Sequence, residues 1–146
     1  MGRPYVAVDG ITVPLSARQL AVVVRLALGG HRPTPPTRLL SAWPDGTASN
    51  GALRVTLTRL RPLLAPAQLV RVDGGYLLSP VPELDCERFE QLLRASRAPT
   101  AEPATRVAQL DAALALWTGP AYDGMDDLEW AHHEAARLEE LRELAL

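Results

Sequence analysis

The chain has 146 residues, 47% of them hydrophobic, and a formal net charge of −2, which is enough apolar sequence for one domain or two small ones. Its single cysteine, Cys86, excludes an internal disulfide and is typical of a reducing compartment. The longest apolar run, residues 20–28, is interrupted by Arg25 and is much shorter than the ~20 residues of a membrane span. The N-terminus lacks the apolar core of a signal peptide, so we expect a cytoplasmic protein without membrane contact.

The charges are distributed unevenly along the chain. Residues 1–82 contain nine arginines and three acidic residues, a net charge of +6, whereas residues 83–146 contain six arginines and fourteen acidic residues, a net charge of −8. Such an asymmetry is typical of a nucleic-acid-binding half next to an acidic half. We therefore expect a domain boundary near residue 82.

The N-terminal part of the sequence predicts two strands followed by a helix. Two short strands, residues 5–8 and 11–13, are predicted on either side of an Asp-Gly turn. Ser16 and Gln19 form a capping box ahead of an apolar run, which predicts a helix over residues 17–28.

Two further helices are predicted before the next turn signal. Thr34 precedes two prolines and is expected to cap a short helix that ends near Trp43. The segment NGALRVTLTRLRPLL, residues 50–64, predicts a third helix, in which Pro62 should cause a kink or an end near Arg61 because it cannot donate a backbone hydrogen bond. The leucines of this helix recur at i, i+4, i+7 and i+11 and share one buried stripe: Leu53, Leu57, Leu60 and Leu64.

The segment LVRVDGGYLL repeats the hairpin pattern, with strands predicted over residues 69–72 and 76–78. The order is therefore strands, three helices and a hairpin. That is the order of an α+β winged helix-turn-helix, in which the third helix enters the major groove and the hairpin lies against the flanking backbone or minor groove.

Residues 83–146 are predicted to be helical throughout. Asp85 is expected to cap a helix that ends near Arg97, and further helices are expected over residues 104–117 and 128–146. The second of these three has an apolar stripe at i, i+3, i+7 and i+10, which predicts burial of Val107, Leu110, Leu114 and Trp117.

The outer face of the third helix in the basic half carries arginine and threonine but no acidic residue. Arginine can hold a guanine edge with two hydrogen bonds, valine and threonine methyl groups can contact thymine methyl groups, and flanking Arg and Thr side chains can hold phosphates. The alternative is a polar face that only contacts water. The absence of acid and the position between a helix pair and a hairpin favour groove recognition by Arg54, Val55, Thr56, Thr58, Arg59 and Arg61.

The segments NGALRVTLTRLRPLL and LVRVDGGYLL together resemble the N-terminal DNA-binding domain of the Streptomyces antibiotic regulatory protein family, an OmpR-type winged helix. The acidic half, with LDCERFEQLL, AALALWTGPAYDGM and WAHHEAARLEELRELAL, is similar to the opening of that family's bacterial transcriptional activator domain. The resemblance implies a winged helix over residues 1–82 and a partial, all-α, tetratricopeptide-like activator domain over residues 83–146. Both ends look short beside such relatives.

The resemblance also implies roles for single residues. Arg59 and Arg61 match the family's RLR signature, with Arg59 facing the bases and Arg61 near the backbone, and Val55 and Thr58 match positions that face the groove.

In the hairpin, Tyr76 follows Gly75 and matches the GY pair that shapes the wing. Leu77 stands where many family members have an arginine, which leaves Arg71 as the nearby basic residue of the wing.

The function that the resemblance implies is a sequence-specific transcriptional activator that binds double-stranded DNA and needs no cofactor. Family members act at tandem repeats near promoters and contact RNA polymerase, which implies RNA polymerase as a partner and a homodimer on repeated sites. The alternative is a helical protein-protein interaction module whose winged helix no longer binds DNA, and Pro62 and Leu77 favour it.

No catalytic or metal-binding motif is predicted. His133-Glu134 is followed by Arg137 where the zinc-protease motif HExxH needs a second histidine. The neighbouring His132 points about 100° away from His133 on a helix, so the two cannot easily share a metal. The acidic loop near Asp126 lacks the ligand spacing of a calcium-binding EF-hand. We therefore expect no enzyme, no metal site and no cofactor.

Overall fold

The computed structural model describes residues 1–146, which divide into two compact units. One unit is Pro4–Pro82, and the other joins Met1–Arg3 to Glu83–Leu146. None of the six α-helices has the length and the apolar composition that a membrane span requires.

The unit Pro4–Pro82 begins with a small antiparallel hairpin. Strand β1 (Ala7–Val8) pairs with β2 (Ile11–Thr12), and the turn residues Asp9 and Gly10 both have positive φ, at 51° and 77°. Both strands are shorter than predicted, although the amide of Val13 still donates to the carbonyl of Val6 at 2.8 Å.

Helix α1 (Ala17–Gly29) begins at the predicted capping box. The amide of Gln19 donates to Ser16 Oγ at 3.2 Å, and the amide of Ser16 donates to Gln19 Oε1 at 3.0 Å. The apolar side of α1 supplies five buried residues, which are Ala21, Val22, Val23, Leu26 and Ala27.

Helix α2 (Pro36–Leu39) is short and passes into a single 3-10 turn, Leu40–Ala42. Helix α3 (Asn50–Leu64) follows, and its cap Ser49 accepts a hydrogen bond from the amide of Ala52 at 3.0 Å. The predicted leucine stripe is confirmed, since its four members are at most 3% exposed.

Helix α3 continues past Arg61, so of the two predicted effects of Pro62, a kink or an end, the end near that residue does not occur. Pro62 falls in the last turn, where its missing amide removes only the bond to the Thr58 carbonyl and its ring is exposed. One more turn of helix brings Leu64 into the core, where it is 3% exposed. The gain from burying this leucine outweighs the loss of one hydrogen bond.

A second hairpin ends this unit. Strand β3 (Gln68–Val72) pairs antiparallel with β4 (Gly75–Ser79), and Asp73-Gly74 forms the two-residue turn. The side chains of Leu69, Tyr76 and Leu78 are buried.

Thr34 does not cap α2, so that prediction is wrong; the residue before α2 is Pro35, which offers no side-chain cap. The backbone of Thr34 is extended instead and bonds to Tyr76, with the Thr34 amide donating at 2.8 Å and the Tyr76 amide donating at 3.0 Å. The loop before α2 therefore pairs with the outer edge of β4, and the Thr34 side chain is only 3% exposed.

The other unit contains three helices, α4 (Asp85–Ser96), α5 (Pro103–Leu114) and α6 (Glu129–Glu143). The predicted cap at Asp85 is wrong, because Leu84 precedes the helix and Asp85 is its first residue. Buried side chains from all three helices and the segments beside them form one core, which consists of Phe89, Leu93, Ala113, Ala121, Leu138 and Ala145.

The predicted burial of Val107 is also wrong, since this residue is 58% exposed. The buried side of α5 begins at Leu110 and includes Ala113, which is fully buried, and Leu114, which packs against the same core. Residues 102–108 are all exposed, so helical periodicity alone does not predict how much of the stripe is covered.

The first three residues pack within this helical unit rather than with the hairpin that follows them. The Met1 carbonyl accepts hydrogen bonds from the Thr118 amide at 2.6 Å and from Thr118 Oγ1 at 2.9 Å. The Met1 ammonium donates to the Leu116 carbonyl and lies 3.6 Å from an Asp85 carboxylate oxygen. The helical unit is therefore built from two separate parts of the chain.

Candidate nucleic-acid interface

The exposed side of α3 is fixed by its buried side. Because the four leucines face the core, the residues between them face outward. Val55 is 50% exposed, and Thr56 at the margin is half-buried. The exposed members of this face are Arg54, Val55, Thr58, Arg59 and Arg61.

The arginines of this face are not neutralised within the protein. Five salt bridges lie within the helical unit: Met1–Asp85, Arg94–Glu90, Arg137–Glu90, Arg137–Glu134 and Arg142–Glu139. Arg54, Arg59, Arg61 and the hairpin residue Arg71 form none of them and are exposed. Their charges are therefore available to an external anion, as in a surface that binds a nucleic-acid backbone.

The threonines present different chemistry from the arginines. Thr56 Oγ1 donates to the Ala52 carbonyl at 3.0 Å, and Thr58 Oγ1 donates to the Arg54 carbonyl at 2.9 Å. A hydroxyl group has one hydrogen to donate, whereas a phosphate oxygen only accepts. Neither threonine can donate to a phosphate without giving up its bond to the helix backbone.

The beginning of α3 carries small side chains. Gly51 is exposed, and a Cβ at that position would meet only Ser49 Oγ, at 3.8 Å. Ala52 on the same turn is partly exposed. Recognition helices commonly contact base edges through their N-terminal residues, so a bare first turn leaves room for close approach to a groove.

A shallow groove lies between the end of α3 and strand β3. Arg61 and Arg71 line it together with the segment that connects the two elements, residues 65–70. Two basic side chains that come from different elements therefore lie along one surface. The sequence does not predict that Arg61 and Arg71 lie near each other, because nothing local to either residue indicates that β3 returns beside the last turn of α3.

The hairpin itself contributes little positive charge. Tyr76 is 8% exposed and its backbone is bonded to Thr34, so its side chain belongs to the interior and supports the position of the hairpin. Leu77 is half-buried, and the turn carries the exposed acid Asp73. Arg71 is the basic residue of the hairpin that reaches the surface.

Other polar contacts in this unit hold the fold together. The Arg18 guanidinium donates to the Ala42 carbonyl and lies 5.0 Å from the centre of the Trp43 ring. Asp45 accepts hydrogen bonds from the Thr47 hydroxyl at 2.7 Å and the Thr47 amide at 3.2 Å, which hold the pKa of its carboxyl group below the ordinary value. These contacts order the approach to α3.

In the helical unit, Arg94, Arg137 and Arg142 form salt bridges with carboxylates. Arg137 is hydrogen-bonded to Glu134 at 2.5 Å and to Glu90 at 2.8 Å, and these carboxylates raise the pKa of its guanidinium.

Burial raises the pKa of the Cys86 thiol to about 11. No three His, Cys, Asp or Glu side chains lie close enough together to hold a metal ion.

Comparison with known proteins gives a family match for the helical unit. Residues 84–146 match the bacterial transcriptional activator domain. The chain as a whole is similar in structure to a protein solved as "Mycobacterium tuberculosis EmbR in complex with low affinity phosphopeptide", with a TM-score of 0.82 and 27% sequence identity. That similarity covers 99% of this chain and 41% of the EmbR chain. No curated protein matches the sequence.

These findings place a bacterial transcriptional activator domain match in residues 84–146 and a fold like part of EmbR in the whole chain. The mixed composition of helices and small antiparallel sheets agrees with the EmbR fold. The matched residues belong to the helical unit, and none of them lies in Pro4–Pro82.

Proposed function

We propose that the chain is a sequence-specific, DNA-binding transcriptional activator in which Pro4–Pro82 is a winged-helix domain and α3 is its recognition helix. One observation carries the proposal: α3 buries a complete leucine stripe and exposes arginines that no carboxylate of the protein neutralises. A duplex supplies the missing negative charge together with a groove that is wide enough for a helix.

The proposed contacts divide by position on the surface. Arg59 and Arg54 lie on opposite flanks of the exposed face, and Arg59 contacts a base edge. Arg61 and Arg71 share the groove at the end of α3 and contact backbone phosphates on one side of the helix. Such phosphate contacts set the register of the helix in the groove, and base contacts supply sequence preference.

The helical unit would provide the activating function. Its match to the bacterial transcriptional activator domain and its excess of acidic residues support a surface that meets another protein. RNA polymerase is the partner we propose. Pairing of two copies on tandem DNA sites is part of the same proposal.

The test is fluorescence anisotropy of the full chain with a labelled duplex at several salt concentrations. We expect log K to fall linearly with log salt, with a slope of about −0.9 per phosphate neutralised. Arg59→Ala should weaken binding, and Arg61→Ala should also lower the slope by about one. The matched control is Arg88→Ala, which removes an exposed arginine from α4. Equal binding by all four proteins, or no binding at low salt, contradicts the proposal.

A second candidate is a protein-interaction module whose basic unit does not bind DNA. The observation in its favour is the hairpin, where Asp73 is exposed and Leu77 offers no positive charge. The same titration separates the two functions, because an interaction module has no salt-dependent affinity for duplex DNA.

A further inference from the structure

The centre of the exposed face of α3 is apolar, although charged side chains surround it. Val55 is 50% exposed and lies on the side opposite the leucine stripe. Thr58 is three residues further along, so its side chain is a neighbour of Val55 on the helix surface. Arg54 and Arg59 flank this pair.

Thr58 adds a methyl group to this apolar centre. Its hydroxyl donates to the Arg54 carbonyl at 2.9 Å, so the oxygen branch is held against the helix. The γ-methyl group is the free branch of an exposed side chain. Val55 has two further methyl groups and no polar atom, so the pair offers apolar contact where a polar helix surface would usually offer hydrogen bonds.

The preceding turn leaves this centre accessible. Gly51 and Ala52 lie four and three residues before Val55, on the same side of the helix, and both are small. Long side chains at those positions would keep the helix away from the floor of a groove. Here Val55 can approach a base pair closely while Arg54 and Arg59 reach to either side.

We propose that Val55 and Thr58 together contact the 5-methyl group of thymine, so that thymine methyl groups determine part of the target sequence. The proposal rests on the DNA-binding function proposed above. The thymine methyl group is the apolar feature of the major groove, and cytosine lacks it. An apolar pair between two arginines therefore favours a thymine close to a guanine that Arg59 holds.

The experiment begins by selecting duplexes with a random core for binding to the full chain. The enriched duplex is then remade with deoxyuridine replacing thymidine one position at a time, which removes one methyl group and keeps every hydrogen-bonding atom. At one or two positions we expect affinity to fall about fourfold, which corresponds to burial of one methyl group. The remaining positions should be unaffected.

Three variants assign the effect to the side chains. Val55→Ala should reduce or abolish the difference between thymidine and deoxyuridine at its position. Thr58→Ser keeps the hydroxyl but removes the methyl group, so it should behave in the same way. Thr58→Val keeps a methyl branch and removes the hydroxyl, so it should retain the difference. Retention of the helical circular dichroism spectrum shows that each variant is folded.

The outcomes separate this proposal from the function on which it rests. If a sequence is enriched and deoxyuridine is tolerated at every position, the methyl contact is overturned and DNA binding stands. Salt-dependent binding without enrichment of any sequence overturns both the methyl contact and the proposed sequence specificity, and leaves only non-specific DNA binding. If no duplex binds even at low salt, both proposals fail. A loss of affinity in Thr58→Val but not in Thr58→Ser would assign recognition to the hydroxyl and overturn the contact.

Discussion

The carbonyl group of Thr34 occupies the space in which a side chain at Gly75 would lie. A Cβ built on Gly75 would be 2.1 Å from the Thr34 carbonyl oxygen and 2.9 Å from the Pro35 Cα, and Gly75 has a φ of 148°. The close approach allows Tyr76 to exchange its two hydrogen bonds with Thr34. The hairpin is thereby attached to the loop that leads into α2.

Gly75→Ala should therefore destabilise the protein strongly. The backbone of Thr34 cannot move aside without breaking these hydrogen bonds, and alanine does not tolerate this φ. We expect the free energy of unfolding to fall by about 3 kcal/mol, measured by urea denaturation. Gly10→Ala is the matched control, because Gly10 also has positive φ but a Cβ there meets nothing within 4 Å. It should lose only about 1 kcal/mol, and equal losses would contradict the steric explanation.

Alanine substitutions on the buried and exposed sides of α3 should differ in their effect on the free energy of unfolding. Leu57 is 2% exposed, so Leu57→Ala should cost about 2–5 kcal/mol in the free energy of unfolding. Val55→Ala, on the exposed side, should change that free energy by less than about 0.5 kcal/mol. Urea denaturation of both variants tests the assignment of the two faces, and a large loss for Val55→Ala would show that it packs in a core.

The capping box of α1 makes a measurable contribution. Ser16→Ala removes the acceptor of the Gln19 amide and should lower the free energy of unfolding by about 1 kcal/mol, seen as a lower melting temperature. Thr37→Ala serves as the control, since this exposed hydroxyl group forms no hydrogen bond in the structure. If both variants melt at the same temperature, the capping box contributes nothing.

Cys86 should be a slow nucleophile in the native chain. Burial raises its pKa from 9.0 to about 11, so the thiol stays protonated at pH 8 and forms thiolate only as the pH approaches 11. The thiolate is the reactive form. We expect iodoacetamide to label native Cys86 about a hundredfold more slowly at pH 8 than it labels the urea-unfolded chain, with a rate that rises towards pH 11. Similar rates in the two states would mean that the thiol is not buried.

Features that depend on local sequence were predictable. Ser16 and Gln19 are three residues apart, and the leucines of α3 repeat with the helical period, so the start of α1 and both faces of α3 follow from the sequence itself. The exposure of Arg54, Val55, Thr58, Arg59 and Arg61 was predictable for the same reason. That these side chains bind DNA remains a prediction, which the proposed salt titration tests.

Features that depend on distant parts of the chain were not predictable. Thr34 precedes two prolines, as a helix cap does, but Tyr76 determines its backbone conformation from a strand much later in the sequence. Val107 has helical spacing from Leu110 but is 58% exposed, because its burial depends on which elements pack against the helix. Within the proposed interface, the burial of Tyr76 and the groove shared by Arg61 and Arg71 depend equally on tertiary structure.

The attachment of Met1–Arg3 to the helical unit has a consequence for dissecting the protein. A single backbone cut after Pro82 would leave these three residues covalently joined to the basic fragment. A fragment Glu83–Leu146 alone would then lack the carbonyl that Thr118 contacts through both its amide and its hydroxyl group. Two donors at the turn after α5 would depend on water for their hydrogen bonds. A protease that cleaves only at this linker would therefore yield a helical piece that is not a complete unit, because its N-terminal part stays on the other piece.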